Sequence, residues 1–213
     1  MAILENNMIK VFKEKGRVSN LDELTKINNI SSNIGIAHTR WATHGKPSKE
    51  NAHPHTDCNG KIVVVHNGII ENYISLKKQL QKEGHKFASE TDTEVVAHLI
   101  EKYYTGDLLA AVKSALKNIE GAYALCAISC EDKSRIIVAR KDAPLVIGIG
   151  KNENFIASDV SALLQYTKDV IFLENKDIAE IKSDSVKIFD ETNTEIKRKS
   201  QQILWNAIQA EKC

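Results

Sequence analysis

Apolar residues recur at helical spacing in the first half of the chain, and in the second half they alternate with polar residues or form short runs. The clearest helix is predicted over residues 92–104. Its apolar stripe recurs every three or four residues and consists of Val95, Val96, Leu99, Ile100 and Tyr103. Thr91 or Asp92 can cap this helix, because short polar side chains accept hydrogen bonds from the free N–H groups of a first turn.

Four more helices are predicted from weaker patterns. Asn20 can cap the first of them. Gly84 can end the second, because glycine tolerates the left-handed backbone of a helix C-terminus. The fourth follows the pair Ser158-Asp159. These helices cover residues 21–27, 73–80, 108–119 and 160–166.

Strands are predicted where apolar residues are β-branched or alternate with polar ones. They cover residues 8–12, 34–38, 61–66, 122–128, 135–139, 145–149, 154–157, 170–173, 177–181 and 185–189. Residues 45–60 contain two prolines and little periodicity, which is typical of a loop. Because the order is strands, helices and then strands, we predict a layered α+β fold rather than a βαβ ladder.

Composition narrows the function classes. The chain has 213 residues, of which 42% are hydrophobic, and a formal net charge of +1 at pH 7. This charge gives no support for binding to nucleic acid or to a membrane surface, and no apolar run is long enough to cross a membrane. The four cysteines lack the spacing of a disulfide framework, which favours reduced thiols and a cytoplasmic location. No cofactor is predicted.

Five of the seven histidines lie between residues 38 and 66. Zinc would accept His53, His55 and Cys58, with His66 as a further candidate. However, their spacing matches no common structural zinc pattern, and no carboxylate stands at a third-ligand spacing. We therefore predict no metal and favour the alternative, in which His53 and His55 cross-link a loop of low apolar content.

Three short runs carry groups that would suit an amino-acid substrate. Residues 38–45 read His-Thr-Arg-Trp-Ala-Thr-His-Gly and offer donors for a carboxylate. Asn67-Gly68, directly after a predicted buried strand, can present an amide and a backbone N–H to one oxyanion, although the pair is also typical of a plain turn. Residues 89–94 read Ser-Glu-Thr-Asp-Thr-Glu and offer an acid for an ammonium group, or else a capping box. Together they fit an α-amino acid with a reactive side-chain carbonyl.

The sequence resembles the glutaminase domain of the isomerising glutamine–fructose-6-phosphate aminotransferase family, also called glucosamine-6-phosphate synthases. This domain is a class II glutamine amidotransferase, and the resemblance covers nearly the whole chain. It implies an N-terminal-nucleophile fold, a four-layer αββα sandwich that here lacks its first strand and helix. It also implies that residues 1–196 form this domain and that 197–213 begin a linker towards absent sugar isomerase domains. The matching runs are residues 38–45, 51–55, 66–72, 89–94, 121–123, 144–148 and 154–159.

The resemblance also implies a role for each site residue. Asn67 and the N–H of Gly68 would form the oxyanion hole, and Asp92 would bind the α-amino group of L-glutamine. Trp41 would gate the passage of ammonia. The glutamine carboxylate would be held by Arg40, Thr43 and His44. The intact enzyme would hydrolyse glutamine to glutamate and deliver ammonia to fructose 6-phosphate, bound by the absent domains, to make glucosamine 6-phosphate. It would be a homo-oligomer.

The nucleophile of this family is an N-terminal cysteine whose own α-amine acts as the base. This chain begins Met1-Ala2, so we expect it to hydrolyse glutamine negligibly by itself. No internal cysteine is expected to replace the nucleophile, and Cys213 is unexplained. Two alternatives stay open: a non-catalytic module that binds glutamine, and a metalloenzyme that uses the histidines.

Overall fold

A computed structural model describes residues 1–28, 30–40 and 45–204. Its helices are α1 (Val18–Ile27), α2 (Tyr73–Lys82), α3 (Thr93–Tyr103) and α4 (Leu108–Leu116), with a 3₁₀ turn at Val160–Ala162. The first seven strands are β1 (Ala2–Glu5), β2 (Met8–Val11), β3 (Gly35–Ile36), β4 (His55–Thr56), β5 (Ile62–Ile70), β6 (Gly121–Ser129) and β7 (Ile136–Lys141). The others are β8 (Val146–Ile149), β9 (Asn154–Ala157), β10 (Asp169–Phe172), β11 (Ile178–Ile181), β12 (Val186–Phe189), β13 (Glu195–Ile196) and β14 (Gln201–Gln202).

A seven-stranded antiparallel sheet in the order β13-β12-β11-β7-β6-β5-β4 forms the centre of the fold. Its longest ladder joins β5 to β6 and runs from the pair Ile62–Ser129 to the pair Ile70–Gly121. The first five residues of β5 are all buried, as expected for a β-branched run in the middle of a sheet. This ladder fixes the position of the Asn67-Gly68 pair relative to the rest of the sheet.

Three helices cover one face of this sheet. The α3 helix is the most central, since all of its residues from Thr93 to Ile100 are buried. The stripe predicted for α3 faces this core, together with Leu76 and Leu80 of α2 and Leu108 of α4. The predictions of α2, α3 and α4 are therefore confirmed, as is the end of α2 near Gly84, which has a φ of +100°.

Two smaller antiparallel sheets pack against the other face of the large sheet. One has the order β2-β1-β3 and contributes Ala2 and Ile36 to the interface. The other has the order β14-β10-β8-β9 and contributes Ile147. Its outer side packs against Val160 and Leu163 at the 3₁₀ turn. The layers therefore run from helices through two levels of sheet, which confirms the layered α+β prediction.

Several local predictions differ from the structure. The helix predicted from residue 21 begins three residues earlier, at Val18, so Asn20 is inside α1 and is not its cap. The helix predicted over 160–166 is a 3₁₀ turn, because Asp159 accepts a hydrogen bond from Ser161 N at 2.7 Å and tightens the first turn. The sequence also gave no prediction of β1, which pairs with β2 through a two-residue turn at Asn6 and Asn7.

Asn6 and Asn7 both have positive φ values, 50° and 64°, which is the conformation of the tight hairpin turns that asparagine favours. The strand predicted over residues 8–12 is confirmed as β2, whereas the four residues of β1 show no clear alternation and were missed. The predicted domain boundary at residue 196 stays a prediction; beyond it, β14 pairs with β10. Among the described residues, no helix combines the length and apolar content that a membrane span requires.

Candidate functional site

The Asn67-Gly68 pair lies inside β5 rather than in a turn, because the strand continues to Ile70. Gly68 has a φ of +141°, and a Cβ atom there would lie 2.1 Å from the carbonyl oxygen of Ala122 on β6. Only glycine avoids this collision. The Asn67 side chain is exposed. The alternative of a plain turn is therefore wrong, and the strand presents an amide side chain beside a backbone position without a side chain.

Asp92 is held next to this strand. Its side chain is 4% exposed, and its Oδ2 atom accepts a hydrogen bond from the backbone N–H of Ile70 at 2.8 Å. Asp92 occupies the N-cap position of α3, but its side chain makes no capping bond to the helix. The carboxylate is therefore directed to β5, two residues beyond Gly68, and it lies at the positive end of the α3 dipole.

Arg40 lies in a loop that is fastened to the segment before Asp92. Its Nη2 atom donates to the Gly45 carbonyl at 3.1 Å. Asn51, which is 3% exposed, joins this loop to Glu90: its Oδ1 accepts from Glu90 N at 2.9 Å, and its Nδ2 donates to Lys46 O at 3.0 Å. The loop that carries Arg40 is thus joined to Glu90, two residues before Asp92. Trp41, Thr43 and His44 lie outside the described residues.

Four histidines pack together beneath this loop. The rings of His38 and His53 stack with centroids 4.2 Å apart, and the ring of His55 meets that of His53 edge-on at 4.9 Å. His66 donates its backbone N–H to His53 Nδ1 at 3.4 Å, and Thr91 Oγ1 bonds to His55 Nε2 at 3.1 Å. These bonds confirm the prediction that His53 and His55 cross-link the loop.

Burial keeps these imidazoles neutral. It lowers the pKa of His38 to about 4 and that of His55 to about 3, with neighbouring charged groups as the smaller cause. Burial also lowers the pKa of His53 and of His66. At neutral pH the cluster therefore adds hydrogen bonds and ring contacts but no positive charge.

Glu94 organises the segment that precedes α3. Its carboxylate accepts from the backbone N–H groups of Ala88 and Ser89 at 2.6 and 2.7 Å, and from Ser89 Oγ at 2.6 Å. Burial would raise the pKa of Glu94, but the nearby His98 ring and the hydrogen bonds from Ala88 and Ser89 outweigh burial and lower it to about 2. The predicted capping box is thus replaced by bonds to residues before the helix, while Asp92 stays available for β5.

None of the three cysteines that the structure describes is placed as a nucleophile for this site. Cys126 packs in the interior between the large sheet and both small sheets, where burial raises its pKa to about 12. Burial also raises the pKa of Cys130, at the end of β6. The thiol of Cys58 lies against His85 and His98 in a different cluster. Cys126 is therefore a packing residue of the core.

Residues 38–165 match the family model described as a glutamine amidotransferase domain. A glutamine–fructose-6-phosphate aminotransferase (isomerizing) of Clostridium tetani is 49% identical over 212 residues, and one of Caldanaerobacter subterraneus is 51% identical over 212 residues. Each alignment covers 100% of this chain and 35% of the relative. The chain therefore spans about a third of the length of these relatives and matches their glutamine amidotransferase part.

Two solved structures share the fold. The glutamine phosphoribosylpyrophosphate amidotransferase from B. subtilis has a TM-score of 0.76 at 25% identity and covers 91% of this chain and 43% of its own. A structure described as the allosteric regulatory enzyme of purine biosynthesis has a TM-score of 0.74 at 25% identity and covers 89% of this chain and 42% of its own. This likeness confirms the predicted N-terminal-nucleophile type of sandwich.

Proposed function

The chain belongs to the glutamine amidotransferase domain family, and from this premise we propose that the site between β5 and α3 binds L-glutamine. The observation that carries the proposal is the bond from Ile70 N to Asp92, which holds a buried carboxylate two residues from Gly68. A buried acid bonded to the strand that carries the exposed Asn67 suits a ligand with an ammonium group at one end and a carbonyl at the other.

In this proposal Asp92 binds the α-amino group, and Arg40, together with Thr43 and His44, binds the α-carboxylate. Arginine suits a carboxylate because its planar guanidinium can donate two parallel hydrogen bonds. The side-chain carbonyl of glutamine would then lie against Asn67 and the N–H of Gly68. When a thiolate attacks that carbonyl, these two donors would stabilise the oxyanion that forms, and losing one such donor costs about 3–4 kcal/mol of barrier.

The reaction and partners of the intact protein are proposed from its similarity to its relatives. We propose that it releases ammonia from glutamine and that Trp41 gates the ammonia on its way to fructose 6-phosphate. The sugar phosphate would be bound by a part of the protein outside this sequence, since the chain spans 35% of each relative. We also propose a cytoplasmic homo-oligomer that binds neither nucleic acid nor membranes.

Asp92→Asn tests the proposed site in isothermal titration calorimetry with L-glutamine. Asparagine keeps an oxygen that can accept the Ile70 N–H bond, so the change removes the negative charge with little loss of structure. The affinity for glutamine should fall by about 10–100-fold, the effect of losing a charged hydrogen bond of about 1.5–3 kcal/mol. Asp169→Asn, at an exposed position on β10, is the matched control and should bind as the unchanged chain does.

Arg40→Ala supplies the second test, with Arg17→Ala, a change in an exposed arginine, as its control. Arg40→Ala should lower the affinity for glutamine at least as much as Asp92→Asn does. The same samples should release no glutamate above a buffer control, because none of the described thiols lies at the proposed site. A chain that does not bind glutamine, or that binds it equally well after both changes, would refute the proposal.

A further inference from the structure

A second cluster of polar side chains lies away from the Asn67-Gly68 pair, where the turn between β4 and β5 meets α3. Four groups from three parts of the chain converge there: Cys58 from the turn, His85 from the segment after α2, and His98 and Glu101 from α3. Their potential ligand atoms all lie within 4.8 Å of one another. No part of the proposed glutamine site uses any of the four.

The distances within this cluster fit a tetrahedral zinc ion. Cys58 Sγ lies 3.7 Å from His85 Nδ1 and 3.6 Å from His98 Nδ1. Glu101 Oε2 lies 2.8 Å from His85 Nδ1 and 3.2 Å from His98 Nδ1. Zinc bonds of about 2.3 Å to sulfur and 2.0–2.1 Å to nitrogen or oxygen, at tetrahedral angles, separate ligand atoms by about 3.6 Å and 3.3 Å. Small shifts would therefore place all four atoms around one ion.

The types and charges of the ligands fit as well. Thiolate, imidazole and carboxylate are the three ligand classes that zinc takes in proteins. A thiolate, a carboxylate and two neutral imidazoles together carry two negative charges, which balance Zn²⁺. His98 and Glu101 are three residues apart on α3 and therefore project from the same side of the helix.

A carboxylate lies behind the most buried member of the cluster. The His98 side chain is 1% exposed, and its Nε2 atom is buried without a hydrogen-bond partner among the described residues. The carboxylate of Glu94 faces this atom, with its Oε1 3.7 Å away. A carboxylate behind the distal nitrogen of a histidine is the usual support of a zinc-ligating imidazole, which leaves Nδ1 directed at the metal.

We propose that Cys58, His85, His98 and Glu101 bind one structural zinc ion. Four protein ligands close the tetrahedron and leave no position for a substrate, which is the pattern of structural rather than catalytic sites. The ion would fasten the turn before β5 to α3. Since β5 carries Asn67 and α3 begins beside Asp92, zinc would stabilise both walls of the glutamine site without touching the substrate. This inference does not depend on whether glutamine binds.

Sequence spacing did not reveal this site. The sequence groups Cys58 with His53 and His55 as possible zinc ligands, but in the fold its thiol contacts His85 and His98 instead. Positions 58, 85, 98 and 101 form no short zinc motif, because the ligands come from separate elements. In the absence of metal the same four groups form hydrogen bonds with one another. The experiment must therefore distinguish a hydrogen-bonded cluster from one that binds zinc.

Zinc binding is tested on the full 213-residue chain after treatment with a chelator and gel filtration. The stripped chain is titrated with Zn²⁺ against a chromophoric chelator, and the zinc content is measured by elemental analysis. We expect one zinc per chain. Cys58→Ser should weaken zinc binding by at least about 100-fold, since even lost supporting groups cost 10–100-fold. Cys130→Ser, which changes a cysteine outside the cluster, should leave the affinity unchanged.

Cobalt(II) provides a second measurement that does not require a variant. Cobalt bound at the proposed site should show intense tetrahedral d–d bands and a thiolate-to-cobalt charge-transfer band, and Cys58→Ser should abolish the latter. A weak octahedral spectrum would overturn the proposal, as would substoichiometric zinc in the unchanged chain. Equal zinc affinity in the Cys58→Ser and Cys130→Ser chains would also overturn it.

Discussion

Gly68 shows how a single residue without a side chain sets the geometry of the candidate site. It combines a φ of +141° with a backbone so close to β6 that a Cβ atom would meet Ala122 O at 2.1 Å. Its positive φ could be anticipated from the Asn-Gly pair. The collision could not, because it depends on the register between β5 and β6, which follows from tertiary pairing rather than from local sequence.

Gly68→Ala should lower the free energy of unfolding by about 3 kcal/mol or more, because the strained backbone and the clash with Ala122 act together. Gly60→Ala is the matched control: it also has a positive φ, +67°, but a Cβ atom there meets nothing within 4 Å. The control should cost only about 1–2 kcal/mol. Urea unfolding followed by circular dichroism measures both. Equal losses would show that the close approach to β6 has no energetic effect.

The buried histidines predict how stability depends on pH. Burial lowers the pKa of His38 to about 4 and that of His55 to about 3, while the unfolded chain titrates near the ordinary value of 6.5. Between these values the unfolded state binds more protons, so the free energy of unfolding should fall as the pH is lowered from about 6.5 to 4.5. Glu94, whose pKa is lowered to about 2 from 4.5, adds to the loss only below this window.

His55→Gln tests the assignment of this pH dependence. The glutamine side chain introduced at position 55 can still bond to Thr91, but it does not titrate. The unfolding free energy should therefore change less steeply with pH between 6.5 and 4.5. The His98 pKa is raised: burial acts against this, but the carboxylates of Glu94 and Glu101 outweigh it. The stabilisation that His98 provides is therefore fully present below pH 6.5, so His98 cannot cause the loss of stability between pH 6.5 and 4.5. An unchanged slope in the variant would contradict the assignment.

At the scale of elements, the hydrophobic pattern predicted α2, α3 and α4 from their apolar stripes, and it predicted β5 from a β-branched run that is buried on both faces. Short elements were less predictable. The strand β3 lies within the predicted strand 34–38, but the two-residue strand β4 lies within residues 45–60, where the pattern predicts a loop, because β4 is defined by its pairing with β5. Asp92 was predicted near the start of α3, but its bond to Ile70 N follows from the packing of α3 on β5 and could not be read from spacing.

The start of α4 offers a test of capping that separates two roles of one residue. Asp107 Oδ1 accepts from Leu109 N at 3.1 Å, and the same carboxylate forms an ion pair with Arg135 at 2.6 Å. Asp107→Asn keeps an acceptor for the cap but removes the charge, whereas Asp107→Ala removes both. The alanine variant should therefore be less stable than the asparagine variant by about 1 kcal/mol in thermal or urea unfolding. Equal stability would show that the cap contributes nothing.

At the scale of the whole molecule, the large sheet connects the proposed glutamine site to the Cys58 cluster. One face of it packs on the helices, and the other packs on the two small sheets. The order of elements indicated these layers, and the resemblance indicated the residues of the site. The histidine packing, the Asn51 contacts and the Cys58 cluster depend on contacts between distant segments. Such long-range contacts could not be predicted from sequence patterns, because those patterns report only on neighbouring residues.

Glutamine is proposed to bind between β5 and the start of α3. The most direct measurement is a titration of the ¹⁵N-labelled chain with L-glutamine, followed by ¹H–¹⁵N correlation spectra. We predict saturable shifts of the amide signals of Gly68, Ile70 and Asp92 and of the Arg40 side chain, and much smaller shifts for Gly60 and Asp169. Shifts that do not saturate, or that occur only away from β5 and α3, would contradict glutamine binding at this site.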